Sequence, residues 1–274
     1  MLCLTRDWRD TEFRLPKIIR IFEHVHICLD SGIPLRHILN VFKISTTKGK
    51  ASQAQLLSIS LEMFREKGFD STTMRDIAKA AGMSLGAFYY YYPSKDNIVL
   101  DYYRQVQDQH AAQVNRRISE TRSMRERLGL LMHTKLDILA GSKDLMGALL
   151  RYTGNPDHPL SFLGDSTRGI RNESIALLAT AIQKEKLPDD MLEILPMLLW
   201  SMQMGILLYM LYDKSMGQER TRKLTDVALD LTVRLIKVAR IPVFRPVRKK
   251  LRELLVLAGF VNGDTRALQI DAEG

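Results

Sequence analysis

Gly82-Met83-Ser84-Leu85-Gly86 reproduces the G-x-S-x-G spacing of the serine hydrolases. In those enzymes a strand runs into the motif and a helix leaves it, so that a strained turn lifts the serine hydroxyl above a parallel sheet. Here the residues before the motif have helical spacing: Met74, Ile77, Ala78 and Ala81 recur at i, i+3, i+4 and i+7. With no strand to present it, Ser84 reads as the cap of a short helix, and no enzymatic activity is expected. A second group that could do chemistry is His24-x-His26 with Cys28 and His37, but its spacing matches no strong zinc signature, so no metal is expected. His133 lies on an apolar helix and reads as a core or pocket residue. No phosphate loop or dinucleotide fingerprint is present, and no cofactor is expected.

Tyr89-Tyr90-Tyr91-Tyr92 follows the motif directly. Successive helical residues point about 100° apart, so the four cannot share one face. Phe88 and Tyr92 are expected to point inward, Tyr90 and Tyr91 outward. An exposed phenol packs on sugars and donates to phosphates. Two short helices joined by a turn at Gly82 form a helix-turn-helix, whose second helix enters the major groove of DNA.

Elements of one kind must position these residues, because nearly everything after Ala51 has helical periodicity. Helices are predicted from Gln55 to Gly68, across 72–81, after Ser84 as far as Pro93, and over 96–119. Further ones are expected over 124–140, 143–152, 167–185, 189–212 and 218–240. The fold class is all-α: an N-terminal three-helix helix-turn-helix domain followed by a C-terminal helical bundle for ligand binding and dimerisation. Domain boundaries are expected at 1–50 (an N-terminal extension, with 1–43 dispensable or the product of a misplaced start codon), 51–100, 101–241 and 242–274. The last segment holds a basic amphipathic helix, read as a solvated face or partner surface.

The chain has 274 residues and a net charge of +9, which suits a polyanionic partner. Within 51–104, however, Arg65, Lys67, Arg75, Lys79, Lys95 and Arg104 are matched by Glu62, Glu66, Asp70, Asp76, Asp96 and Asp101. Affinity for DNA then leans on geometry, and on Lys48 and Lys50 as an arm along the phosphates. Cys3 and Cys28 suggest a reducing compartment without a disulfide framework. The opening residues lack a signal-peptide pattern, and the apolar run Ile194–Leu211 is interrupted by Pro196, Ser201 and Gln203. It reads as a buried helix, and the protein as cytoplasmic, without a membrane partner.

Leu56 to Tyr103 resembles the DNA-binding domain of the TetR-family transcriptional regulators. The resemblance rests on Thr72-Thr73, on the pattern from Ile77 to Gly86, on Phe88-Tyr89 and on Ser94-Lys95-Asp96. It implies phosphate contacts from Thr73, Ser84, Tyr89, Tyr91 and Lys95, and base or groove contacts from Leu85, Gly86, Ala87 and Tyr90. Tyr91 stands where a histidine is often found and Tyr92 where phenylalanine is usual. The implied function is that of a homodimeric repressor on a double-stranded DNA operator, released by a small, mainly apolar effector. Trp200, Gln203, Met204 and Tyr152 are expected to touch that ligand, with Tyr209, Arg168 and Arg171 as further polar groups. The rival readings are a helical interaction protein and a constitutive DNA binder.

Overall fold

The computed structural model describes residues 47–260, all of whose regular elements are helical. The expectations for the extension before Thr47, including its histidines and cysteines, and for the polar end after 260 lie outside the described residues. By its contacts the chain divides into Met1–Leu56 and Leu57–Gly274, and the sites below lie in the second unit.

Helix α1 spans Thr47–Lys67 and includes the positions of Lys48 and Lys50. Leu57, Leu61 and Phe64 form its buried stripe. It stops at Gly68, whose φ of 84° favours a residue without Cβ. Thr72 is buried and donates to the carbonyls of Gly68 (2.7 Å) and Met63 (3.3 Å), which folds the chain back on the end of α1. Helices α2 (Met74–Ala80) and α3 (Leu85–Tyr91) follow.

The long α4 (Lys95–Arg117), capped by Ser94, leads into α5 (Met124–Ala140), capped by Ser123. Then come α6 (Lys143–Thr153), α7 (Asp165–Thr180), α8 (Asp189–Tyr212), α9 (Glu219–Ala239) and α10 (Arg245–Leu257). Leu128, Leu131 and Leu136 of α5 share one core with Leu178 of α7, Leu199 of α8 and Leu229 of α9. Helix α8 is long and apolar enough to cross a membrane, but half of its most apolar window is buried inside the fold.

Besides α1, which begins at Thr47 and not at Gln55, two elements depart from the sequence expectation. Helix α7 ends at Thr180, not Glu185, because the buried Arg127 binds the turn beyond it: Nε donates to the Ala181 carbonyl (2.7 Å) and Nη2 to the Glu185 carboxylate. Helix α10 packs on α8 instead of standing apart. Arg248 is buried there, donating to Asp190 Oδ2 (2.7 Å) and the Ala239 carbonyl (2.6 Å), and Arg252 pairs with Glu193. These two basic residues are structural clamps, not a solvated charge run.

Candidate nucleic-acid interface and effector cavity

Both helices of the helix-turn-helix carry side-chain caps. Thr73 Oγ1 accepts from the Asp76 amide (3.1 Å) while the Asp76 carboxylate accepts from the Thr73 amide (3.0 Å), a reciprocal capping box. The Thr73 hydroxyl also donates to Asp76 Oδ2 (2.7 Å), and this bond first, then that of the Thr73 amide, lowers the pKa of the Asp76 carboxyl. At Gly82 the backbone turns through a φ of 66°, and the Met83 amide reaches the Ala78 carbonyl (2.9 Å). Ser84 Oγ accepts from the Ala87 amide (3.2 Å), so its hydroxyl is the cap of α3 and no part of a nucleophile elbow.

Beneath α3, Phe88 and Tyr92 are buried, and Tyr92 donates to Asp101 Oδ2 (2.5 Å). Its outer face carries Ser84, Gly86, Ala87 and Tyr89, all exposed, with Leu85 half-buried. Tyr90 and Tyr91 are half-buried, their rings edge to face at 5.5 Å. A Cβ at Gly86 would meet nothing within 4 Å.

Lys95, expected at a phosphate, also makes contacts within the fold. Its Nζ donates to the carbonyls of Phe69 (2.6 Å) and Asp70 (3.3 Å) and lies over the Phe69 ring at 4.6 Å. Burial lowers its pKa. The start of α4 is thereby tied to the turn between α1 and α2, and at least part of the lysine's hydrogen-bonding capacity is used within the fold.

The same turn is held from the other side by the end of α6. Arg151 and the Tyr152 hydroxyl both donate to the Asp70 carboxylate. The Tyr152 ring packs against Phe69 (5.2 Å) and His158 (4.9 Å). Tyr152 is therefore a strut between the helix-turn-helix and the bundle, and it is not on the cavity wall described next.

A cavity of about 330 Å³ lies among α4, α5, α6, α7 and α8, with Phe162 also in its lining. Its walls are chiefly apolar, including Val106, Leu139, Met146, Leu150, Ile170 and Leu207. Trp200 and Met204, one helical turn apart on α8, line it as expected positions. Gln203 does not: it is buried beside them, with Nε2 donating to Met132 Sδ at 3.6 Å.

The polar wall residues missed in the sequence include Tyr103, Gln107 and Lys135. Lys135 is 6% exposed, its Nζ donating to Gln107 Oε1 at 3.0 Å, and burial pushes it down to about 7. A signal was present: Leu128, Leu131, Met132, Lys135, Leu136 and Leu139 keep core register, and the lysine occupies a core position. Tyr103 and Gln107 are likewise one turn apart on α4. Among the described residues no group of acidic, histidine and cysteine side chains could hold a metal ion.

Comparison with known proteins covers both halves. The profile of the bacterial regulatory proteins of the tetR family matches residues 56–102, and that of the tetracyclin repressor-like C-terminal domain matches 127–254. The HTH-type transcriptional repressor KstR2 of Rhodococcus jostii is 43% identical over 54 residues, covering 19% of this chain and 26% of that protein. The fatty acid metabolism regulator protein of Bacillus subtilis is 26% identical over 91 residues, covering 33% of this chain and 47% of that protein. The chain thus spans about half the length, or less, of these curated relatives. In fold it is similar to a TetR transcriptional regulator from Nitrosomonas europaea, with a TM-score of 0.53 at 14% identity over 65% of this chain and 96% of that one.

Proposed function

Since the chain belongs to the TetR family of bacterial transcriptional regulators, we propose that it is a cytoplasmic, homodimeric repressor that binds an operator through α3 and releases it when a small, mainly apolar effector fills the bundle cavity. The observation that carries this reading is the position of α6. Met146, Leu150 and Thr153 line the cavity, while Arg151 and Tyr152 between them hold Asp70 at the entrance to the helix-turn-helix. A ligand that displaces α6 acts on the placement of α2 and α3 through a contact one residue away. The names of the relatives, a repressor and a regulator of fatty acid metabolism, support repression and a lipid-like effector.

In this reading Thr73, Ser84, Tyr89, Tyr91 and Lys95 face phosphates, and Leu85, Gly86, Ala87 and Tyr90 face the groove. The proposal is tested by selecting duplexes from a random pool with the purified protein and measuring their affinity by fluorescence anisotropy at several salt concentrations. Absence of any sequence-selective, salt-dependent binding rules it out. Leucine at Gly86 enters open space, so the melting temperature should hold while the selected sequence changes. Lys95→Ala, by contrast, should lower both the melting temperature and the affinity for every sequence, because it unties α4 from Phe69 and Asp70.

The strut has its own expected result. The Arg151 and Asp70 side chains are more than half exposed, so their pair adds at most about 1 kcal/mol to stability. Asp70→Ala combined with Tyr152→Phe should leave operator affinity within a few-fold of wild type while blunting release by an effector found in a thermal-shift screen of apolar compounds. Equal release in the wild type and the double variant would remove α6 from the route of coupling.

A further inference from the structure

One wall of the cavity combines features that an apolar ligand alone does not account for. An ammonium group has three donors, and the single hydrogen bond of Lys135 among the described residues goes to a neutral amide oxygen. No carboxylate pairs with it there. Burying a cation without an anion is costly, and retaining one on a core face needs a counter-charge from somewhere. The Tyr103 hydroxyl, on the same cavity, is buried without a hydrogen-bond partner among the described residues.

The other polar groups around the cavity do not supply an anion. On α4 these are Tyr102, Tyr103 and Gln107; on α7 they are Thr167, Arg171 and Ser174; on α6 only Thr153 contributes. None is acidic. Arg171 is a second cation, but its Nη1 already donates to the carbonyls of Phe162 (2.9 Å) and Gly164 (3.3 Å). His110, whose Nε2 lies 2.8 Å from the Leu131 carbonyl, is kept neutral near Lys135, since burial and that lysine push it down to about 3.

Resting on the reading of this cavity as the effector site, we propose that the effector is an amphipathic monocarboxylic acid whose carboxylate is received by Lys135, with Tyr103 donating a second hydrogen bond and the apolar walls enclosing the hydrocarbon body. Recognition in this form is selective. An alcohol or a neutral ester of the same body fills the same walls but leaves the ammonium without its counter-charge.

Isothermal titration of the full chain with two matched pairs tests the assignment: decanoic acid against decanol, and pyrenebutanoic acid against pyrenebutanol, the pairs separating a straight-chain from a fused-ring body. In the wild type the acid of at least one pair should bind about tenfold tighter than its alcohol, or more, as a charge-assisted hydrogen bond requires. In Lys135→Met that preference should shrink to about twofold or less while the alcohol still binds. Equal affinity of acid and alcohol for the wild type overturns the anion assignment and leaves the effector cavity standing. So does a preference that survives Lys135→Met, or one that disappears in Arg171→Gln instead. Binding of none of the four probes to the wild type, checked by displacement of an environment-sensitive dye from the cavity, overturns the assignment and the cavity reading together.

Discussion

Aspartate at both Leu231 and Leu235 converts the protein into a folded monomer and lowers operator affinity by roughly 10²–10⁴-fold, the loss expected when two linked binding events become independent. The argument starts from α9. Thr221, Thr225, Leu229, Val233 and Ile236 are buried on one of its faces, whereas Leu224, Val227, Leu231, Leu235 and Val238 stand exposed at i, i+3, i+7, i+11 and i+14. Leu231 and Leu235 are each 57% exposed. An exposed apolar stripe of that kind marks an interaction surface. Two-fold pairing of α8 and α9 with their symmetry mates into a four-helix interface is the closed solution. Because the stripe is open within one protomer, the two aspartates cost the protomer fold little. Light scattering and anisotropy on the double variant are the checks, and a double variant that remains dimeric removes α9 from the interface.

The second large effect concerns stability. Lys135 has its ordinary pKa of 10.5 when the chain is unfolded and about 7 when it is buried. Between these values the unfolded state binds more protons, so the penalty of burial is fully present below about pH 7 and relieved as pH rises toward 10.5. At neutral pH this amounts to roughly 4 kcal/mol, reduced in a Lys135→Met variant because Gln107 Oε1 loses its donor. The variant should therefore be more stable than wild type by roughly 2–4 kcal/mol at pH 7, and the difference should shrink steadily toward pH 9.5. The window matters: His110, depressed by burial, weakens the fold only as pH falls below its ordinary 6.5, and Tyr103, raised by burial, does so only above 10. Denaturant titrations at fixed protein concentration across this range provide the test. A variant less stable than wild type at neutral pH would show that Lys135 is satisfied where it stands.

What was legible in the sequence follows from the range of the interactions involved. Caps act within one turn, so Ser84 and Gly82 marked their helices, and the limits of α5 and α8 coincide with those read from periodicity. The end of α7 was not legible, because Arg127 reaches it from 54 residues away. Tyr152 shows a similar limit: an aromatic with a hydroxyl among apolar helices suits a pocket, but its partner Asp70 lies 82 residues back in the chain. Lys95 carries a charge at a helix start, which suits a phosphate, but the carbonyls that it also binds belong to a turn brought close only by folding. Lys135 was passed over because lysine is seldom buried, although its register placed it inside.

The corner between α8 and α9 bears on how the two subunits find each other. Asp213 accepts from the amide and hydroxyl of Ser215 (2.8 and 2.6 Å) and from the amide and hydroxyl of Thr221 (2.9 and 2.7 Å), and Lys143 donates to its carbonyl oxygen. Those donors, Ser215 first, hold the Asp213 carboxyl well below the usual carboxylate range. The corner is thus fixed within a single chain, with the angle between its two helices set before any partner arrives. On the proposed mode of pairing, α8 and α9 then meet their symmetry mates as a preformed pair, and the hydrogen bonds of this corner do not wait on assembly.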